Sequence, residues 1–214
     1  MSICCAHATS AGKIYSRLAK LHRWQRKRNG FGVAQKSLLE GLEELGFKES
    51  TLLEIGCGVG HLHQTLLERG AGSALGVDLA KDMLREAEDW AQQRGLAART
   101  RYVEGDFVNL SGSMTPADIT LLDKVICCYP DAELLVNSSL ANTKRLYGLV
   151  YPRDRWYTRM LIGFAALVMR LIQSDFRPYV HSPVRIEAWI SAAGFQKRYE
   201  TQTLMTVTQI FEYQ

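Results

Sequence analysis

The stretch Leu52-Leu53-Glu54-Ile55-Gly56-Cys57-Gly58-Val59-Gly60 constrains this chain more than any other. A short apolar run, Thr51 to Ile55, feeds a turn with glycine at every second position, and a helical pattern from His61 to Arg69 follows directly. Glycine suits such a turn because it adopts positive φ and lets a ligand approach the backbone with no Cβ in the way. A strand, a glycine turn and a helix in that order open a parallel α/β sheet, whose ligands sit at the carboxyl ends of its strands. A dinucleotide fingerprint would carry its third glycine two residues after Val59, but His61 stands there.

The rest of the chain alternates in the same way. Ser16–Arg28 and Ala34–Leu45 read as helices ahead of the first strand. Ser73–Val77, Arg101–Glu104, Asp118–Leu122 and Arg145–Tyr151 read as further strands, with helices over Ala80–Arg94 and Asp131–Leu140 between them. Residues 154–174 are mostly helical, Val184–Ala193 is another helix, and Phe195–Thr203 with Met205–Tyr213 forms an antiparallel terminal pair. At 214 residues, 47% hydrophobic and 22% charged, the chain suits one globular domain. The expected architecture is a Rossmann-like α/β fold: a seven-stranded, mostly parallel sheet with an antiparallel last strand and helices on both faces. Residues 1–48 form an N-terminal helical cap, and 49–214 the main domain with a helical lid insertion at about 153–182.

Two acids stand where the glycine loop would need partners. Asp78 ends the second strand in Gly76-Val77-Asp78-Leu79, about 20 residues past the loop. A carboxylate there accepts from two ribose hydroxyls at once, or it serves the following helix as an N-cap. Glu104-Gly105-Asp106-Phe107 follows the third strand, and taken alone it reads as a polar turn. With Asp123-Lys124-Val125-Ile126-Cys127-Cys128-Tyr129-Pro130-Asp131 after the fourth strand, these segments resemble the ordered motifs of class I S-adenosylmethionine-dependent methyltransferases. Within that superfamily the chain is similar to small-molecule O-methyltransferases related to magnesium-protoporphyrin O-methyltransferase, with Tyr151-Pro152-Arg153-Asp154-Arg155 and Tyr179-Val180-His181-Ser182-Pro183 resembling their lid and post-lid segments. Where many methyltransferases carry a Glu-His pair, this chain has Cys127-Cys128.

The resemblance implies S-adenosyl-L-methionine as cofactor. It is held by Glu54, Gly56, Cys57, Gly58, Gly60, Asp78, Leu79, Met83, Asp106, Phe107 and Asp123, with Tyr15 and Arg28 closing over it from the N-terminal helix. It also implies methylation of a small hydrophobic or planar molecule on oxygen. An RNA or protein methyltransferase and a non-catalytic cofactor-binding relative are the other readings. His181, Tyr129 and Arg153 are the acceptor-side candidates: a histidine base for a phenol or enol, a pocket-lining tyrosine, and a cation for a carboxylate. For His181 a structural role, and for Arg153 a solvated lid surface, are the alternatives. His61 and His63 fall on different sides of one helix and make no metal site.

Charge and cysteines bound the setting. Lys13, Arg17, Lys20, Arg23, Arg26, Lys27, Arg28 and Lys36 precede the first acid, Glu40. A solvated basic helix, a ligand-covering helix, a nucleic-acid arm and a transit peptide are the readings, with Tyr15 and Trp24 favouring packing onto the domain and no nucleic acid expected. Five cysteines without CxxC spacing point to a reducing, cytoplasmic setting. The apolar run Leu161–Met169 is too short to span a bilayer. A buried helix is the expectation there; peripheral contact with a membrane, or cover for a hydrophobic ligand, are the other readings.

Overall fold

Strands that are covered on both faces need apolar residues at successive positions, and the central segments of this chain supply them. A computed structural model describes residues 3–171 and 174–214, with side chains from Thr9 onward. Seven strands form one sheet: β1 (Thr51–Ile55), β2 (Ser73–Asp78), β3 (Thr100–Glu104), β4 (Ala117–Asp123), β5 (Thr143–Pro152), β6 (Phe195–Gln202) and β7 (Thr206–Tyr213). Their order is β3-β2-β1-β4-β5-β7-β6, and β7 alone runs antiparallel to its neighbours. The chain builds outward from β1 to β3 and then returns to add β4 on the other side of β1. That reversal opens a crevice at the carboxyl ends of β1 and β4.

Alternate residues of each strand serve opposite cores. Leu53, Ile55, Leu122, Tyr147 and Leu149 face α6 (Ala132–Leu140) and α8 (Pro183–Ala192), while Leu52, Ile119, Leu121, Leu146 and Val150 face α2 (Val33–Leu45) and α3 (His61–Glu68). Strand β4 stops at Asp123 because Lys124 takes a left-handed conformation, φ 61°, and a 3-10 turn over Ile126–Cys128 follows. The apolar Val125 and Ile126 therefore belong to the turn and not to the strand.

Two helices depart from the sequence expectation. The first, α1 (Ile3–Asn29), begins well before Ser16. It lies along α4 (Lys81–Gln93): Arg23 Nη1 meets Glu86 Oε2 at 2.7 Å, Arg23 Nη2 donates to Gln93 Oε1 at 2.9 Å, and Ser16 Oγ accepts from the Asp82 amide at 3.4 Å. Gly12 runs through the helix because it is the contact point, where any Cβ would sit 2.7 Å from the Leu79 carbonyl oxygen. Overpacking of this kind costs about 1–3 kcal/mol. Gly12→Val is therefore expected to lift α1, so that native-state trypsin cleaves at Lys13, Arg17 or Lys20 roughly tenfold faster or more. The unfolding transition of the sheet should stay in place. An unchanged cleavage rate would contradict the packing.

The second departure is α7 (Trp156–Leu171), expected to be buried; only Thr158 on it is buried. Its remaining face is turned outward, because it follows β5 over the rim of the sheet instead of lying on it. Residues 172–173 of the expected lid insertion, and the Cys4 and Cys5 side chains, lie outside what is described.

Candidate active site

The glycine turn between β1 and α3 uses three left-handed residues, Gly56 (φ 65°), Gly58 (φ 54°) and Gly60 (φ 75°). Each is glycine for a different reason. A Cβ on Gly56 would meet Val125 at 2.5 Å, and one on Gly60 would meet Gln64 at 2.7 Å, whereas one on Gly58 would meet nothing within 4 Å. The first and third let the loop pack; the second leaves its backbone bare toward open space.

Beneath the loop lies a buried polar network. Glu54 Oε2 accepts from His63 Nδ1 at 2.6 Å and from the His63 amide at 3.2 Å. The tautomer that satisfies every group has His63 Nε2 accepting from the Tyr102 hydroxyl at 3.0 Å. That hydroxyl in turn accepts from Gln64 Nε2 at 2.8 Å. Burial pushes the Tyr102 hydroxyl well above the usual phenol range. Glu54, His63 and Gln64 thus brace the loop from below.

Above the loop is a cavity of about 330 Å³. Asp78 forms part of its wall at the end of β2, its Oδ2 accepting from the Gly58 amide and its Oδ1 from the Ala80 amide, both at 2.8 Å. Burial raises its pKa, and the backbone amides of Ala80, Gly58 and Leu79 act against that rise. Asp106 caps α5 (Phe107–Leu110) through the Val108 amide at 3.1 Å and accepts from the Tyr129 hydroxyl at 2.9 and 3.0 Å. Asp123 Oδ2 accepts from Gln35 Nε2 at 2.9 Å, while its Oδ1 is buried with no hydrogen-bond partner among the described residues. Glu54, Gly56, Cys57, Gly58, Leu79, Met83, Phe107 and Tyr15 also line this cavity. Gly60 sits just below it as the residue preceding α3.

Helix α1 covers the cavity with Ala11, Tyr15, His22 and Arg26, which share one helical face by their spacing. Arg28, the cation expected there, falls about 200° round from Arg26 and instead lies over the Trp24 ring at 5.2 Å. Arg26 takes its place. Phe31 and His61 complete the wall, the His61 ring lying 4.1 Å from Phe31 and stacking on Trp90 at 4.9 Å. Burial, with Arg94 and Arg26 nearby, pushes the His61 pKa down to about 4, so the ring is neutral at pH 7. His63 points the other way, so the two histidines do part as their spacing predicts. The aromatic sandwich was not legible from motif positions, but the face shared by Tyr15, His22 and Arg26 is a periodicity signal that could have found those residues.

The acceptor-side candidates are dispersed. Tyr129 is 8% exposed and gives its hydroxyl to Asp106. His181 lies in a separate hollow with Asp131, Arg185 and Trp189, its Nε2 donating to the Tyr129 carbonyl at 3.0 Å. Burial lowers its pKa. Arg153 Nη1 donates to the Thr203 carbonyl at 3.0 Å, tying the end of β5 to the β6–β7 turn. The side chains that do meet at the cavity are Tyr15 and Cys128, the Tyr15 hydroxyl lying 3.6 Å from Cys128 Sγ, and the exposed Lys124 also lines the cavity. Cys127 Sγ is 3.9 Å from Cys128 Sγ. Among the described residues no group of three or more His, Cys, Asp or Glu is arranged to hold a metal ion.

Residues 52–145 match the family model described as a methyltransferase domain. Over those residues, just under half of its length, the chain is similar to a methyltransferase domain. That match contains the glycine loop, Asp78, Asp106 and Asp123, which are the parts that build the cavity. The methyltransferase fold extends beyond it. Magnesium protoporphyrin IX methyltransferase from Synechocystis PCC 6803, solved with bound SAH, superimposes with a TM-score of 0.68 at 20% identity, over 91% of this chain and 94% of that one. An O-methyltransferase family protein from Burkholderia thailandensis gives 0.71 at 17% identity, over 92% of this chain and 60% of that one. In sequence, ribosomal protein L11 methyltransferase from Pasteurella multocida is 36% identical over 61 residues, 28% of this chain. The aligned part spans 21% of that relative's length.

Proposed function

We propose that this protein is an S-adenosylmethionine-dependent methyltransferase that methylates an oxygen of a small hydrophobic or planar molecule. The observation that carries this reading is the pairing of a bare glycine cradle with Asp78. Gly58 leaves open space where a side chain would stand, and the carboxylate beside it keeps lone pairs beyond the two taken by backbone amides. The residues present fit the cofactor. Asp78 would accept from the ribose hydroxyls, Phe107 and Leu79 would flank the adenine, and Asp106, held by the Tyr129 hydroxyl, would take the adenine amino group. The unpartnered Asp123 Oδ1 suits the cationic ammonium of the methionine end.

When bound, the cofactor would supply an electrophilic methyl on a sulfonium, which passes to the acceptor oxygen in line with the departing sulfur and leaves the neutral thioether S-adenosylhomocysteine. The chain's own task is to orient that oxygen and exclude water. Burial holds the Tyr15 hydroxyl in its protonated form, so it donates a hydrogen bond and removes no proton. Lys124 offers positive charge at the same cavity. A carboxylate acceptor would need only these two groups, whereas a phenol would arrive with its proton still to be lost. His181 and Arg153 then act as positioning residues, the first beneath Tyr129 and the second at the end of β5.

Arg26, and not Arg28, is the cation expected to meet the cofactor carboxylate. A charge-assisted hydrogen bond of about 1.5 kcal/mol makes Arg26→Ala roughly tenfold weaker in binding S-adenosylhomocysteine by calorimetry, with Arg28→Ala unchanged. Equal effects of the two substitutions would overturn that assignment. The activity itself is tested with radiolabelled S-adenosylmethionine against magnesium protoporphyrin IX, simple phenols and aromatic carboxylic acids, with ribosomal protein L11 as the macromolecular alternative. Label on a small acceptor supports the proposal, label on L11 moves the acceptor to protein, and absence of S-adenosylmethionine binding at millimolar concentration ends the methyltransferase reading.

A further inference from the structure

Helix α7 has the unusual property of showing its apolar residues to the outside. At 100° per residue, Trp156, Met160, Leu161, Phe164, Leu167 and Leu171 fall on one continuous arc of about 140°. All six are exposed, Trp156 at 72% and Phe164 at 65%. The opposite face, carrying Thr158, Ile162, Ala165 and Met169, is the one turned toward the protein. Leu204 lies beside the start of the helix, its carbonyl accepting from the Tyr157 hydroxyl at 2.7 Å, and is itself 72% exposed. A patch of this kind marks an interaction surface.

The charges beside the arc select the partner. Arg159 and Arg170 flank it on one side, at nearly the same angle round the helix, and the helix carries no acid. Arg159 is held by Asp154, and Arg170 makes no ion pair among the described residues. The chain beyond α7 then packs against the cavity-facing side of α1, Phe176 meeting Tyr15 edge-on at 5.9 Å, and so holds α1 with its other side toward solvent. On α1 the exposed Lys13, Arg17, Lys20, Lys27 and Arg28 have no ion-pair partner among the described residues, and Leu21 and Trp24 are exposed beside them. An apolar arc edged by arginines, in a protein whose α1 also shows solvent a basic face with exposed aromatic and leucine side chains, matches an anionic lipid surface. The acyl boundary takes the apolar side chains, and the headgroups take the cations. No helix among the described residues is long and apolar enough to cross a membrane, so the contact lies in the interface plane.

We infer that α7, together with the basic face of α1, docks this protein on an anionic membrane surface. Helix α7 leaves the carboxyl end of β5, the same rim of the sheet on which the cavity lies. Docking therefore sets the cavity mouth near the bilayer, and an acceptor dissolved there would enter without crossing water. This last consequence rests on the methyltransferase reading; the docking does not.

The test is co-sedimentation of the full chain with vesicles of phosphatidylcholine alone or mixed with phosphatidylglycerol, at low and high salt. Tryptophan fluorescence is recorded alongside. Expected are binding to the anionic vesicles only, weakening as salt rises, and a blue shift from Trp156. Phe164→Glu with Leu167→Glu should weaken binding more than tenfold, and Lys13→Gln with Lys20→Gln roughly fivefold per charge removed. All four positions are exposed, so the variants fold, and calorimetry with S-adenosylhomocysteine reports the cavity independently. No binding to anionic vesicles at low salt overturns the proposal. Binding that survives the glutamate pair also overturns it for α7. If the chain instead forms a dimer that the glutamate pair dissolves, with no vesicle binding, the arc belongs to a second copy and the proposal fails.

Discussion

Asp78→Ala is expected to weaken binding of S-adenosylhomocysteine by at least about 100-fold, the effect of losing two charge-assisted hydrogen bonds of about 1.5 kcal/mol each. The carboxylate stands at the end of β2 with one oxygen on the Gly58 amide and the other on the Ala80 amide. It is therefore oriented before any ligand arrives, and no ordering cost offsets its contribution. Asp78→Asn keeps the shape but only one accepting oxygen, and should fall between wild type and alanine. Burial raises the Asp78 pKa above the ordinary aspartate range, which gives the sign of two pH effects. Affinity should fall on acidification, beginning at a higher pH than an unperturbed aspartate would give. The folded pKa also exceeds the unfolded one, so ionised Asp78 costs stability at neutral pH, and that cost disappears as pH falls through the folded value. Asp78→Ala should accordingly lose ligand without losing the fold. Calorimetry across pH and a denaturant titration separate the two, and unchanged affinity would remove Asp78 from the site.

His63→Ala is expected to lower the unfolding free energy by about 3 kcal/mol, because it leaves the buried Glu54 carboxylate without the His63 ring donor and with only the residue-63 amide. Glu54 is 3% exposed and His63 fully buried, so solvent cannot make good the loss. The substitution also strands the Tyr102 hydroxyl, which bonds His63 at 3.0 Å. Removing both partners together, as Glu54→Leu with His63→Leu, should recover much of the stability, since the penalty belongs to the unpaired charge and not to the pair itself. The measurement is urea unfolding of the two single variants and the double variant as a cycle. Additive losses would mean that the 2.6 Å contact couples nothing.

The strands and their order of appearance were legible because hydrophobic runs of strand length, separated by glycine-closed helices, have few other solutions. Thr51–Ile55 was read at its full extent. The loop glycines were legible because a tight turn between strand and helix carries a local signature, whereas Asp78, Asp106 and Asp123 were assigned to the site only through the resemblance to methyltransferase motifs, Glu104–Phe107 alone reading as a polar turn. Arg26 and Arg28 were not distinguishable by type or motif, because the cations of this helix spread over more than half of its circumference. Only docking against α4 decides which side meets the cavity. His181 looked available as a base, yet its ring nitrogen is engaged by the Tyr129 carbonyl, a partner 52 residues away in the chain. The run Leu161–Met169 was apolar enough for a core, and its composition contains nothing to say that the core was already filled by α6 and α8.

The sequence by itself determined the sheet and the glycine cradle, since each depends on residues close together in the chain and on steric rules for single backbone positions. The tertiary structure alone decided which face of α1 closes the cavity, that Tyr129 is spent on holding Asp106, and that α7 lies with its apolar side outward. Those outcomes turn on how distant segments share a limited interior, where one helix takes the space and another is left at the surface.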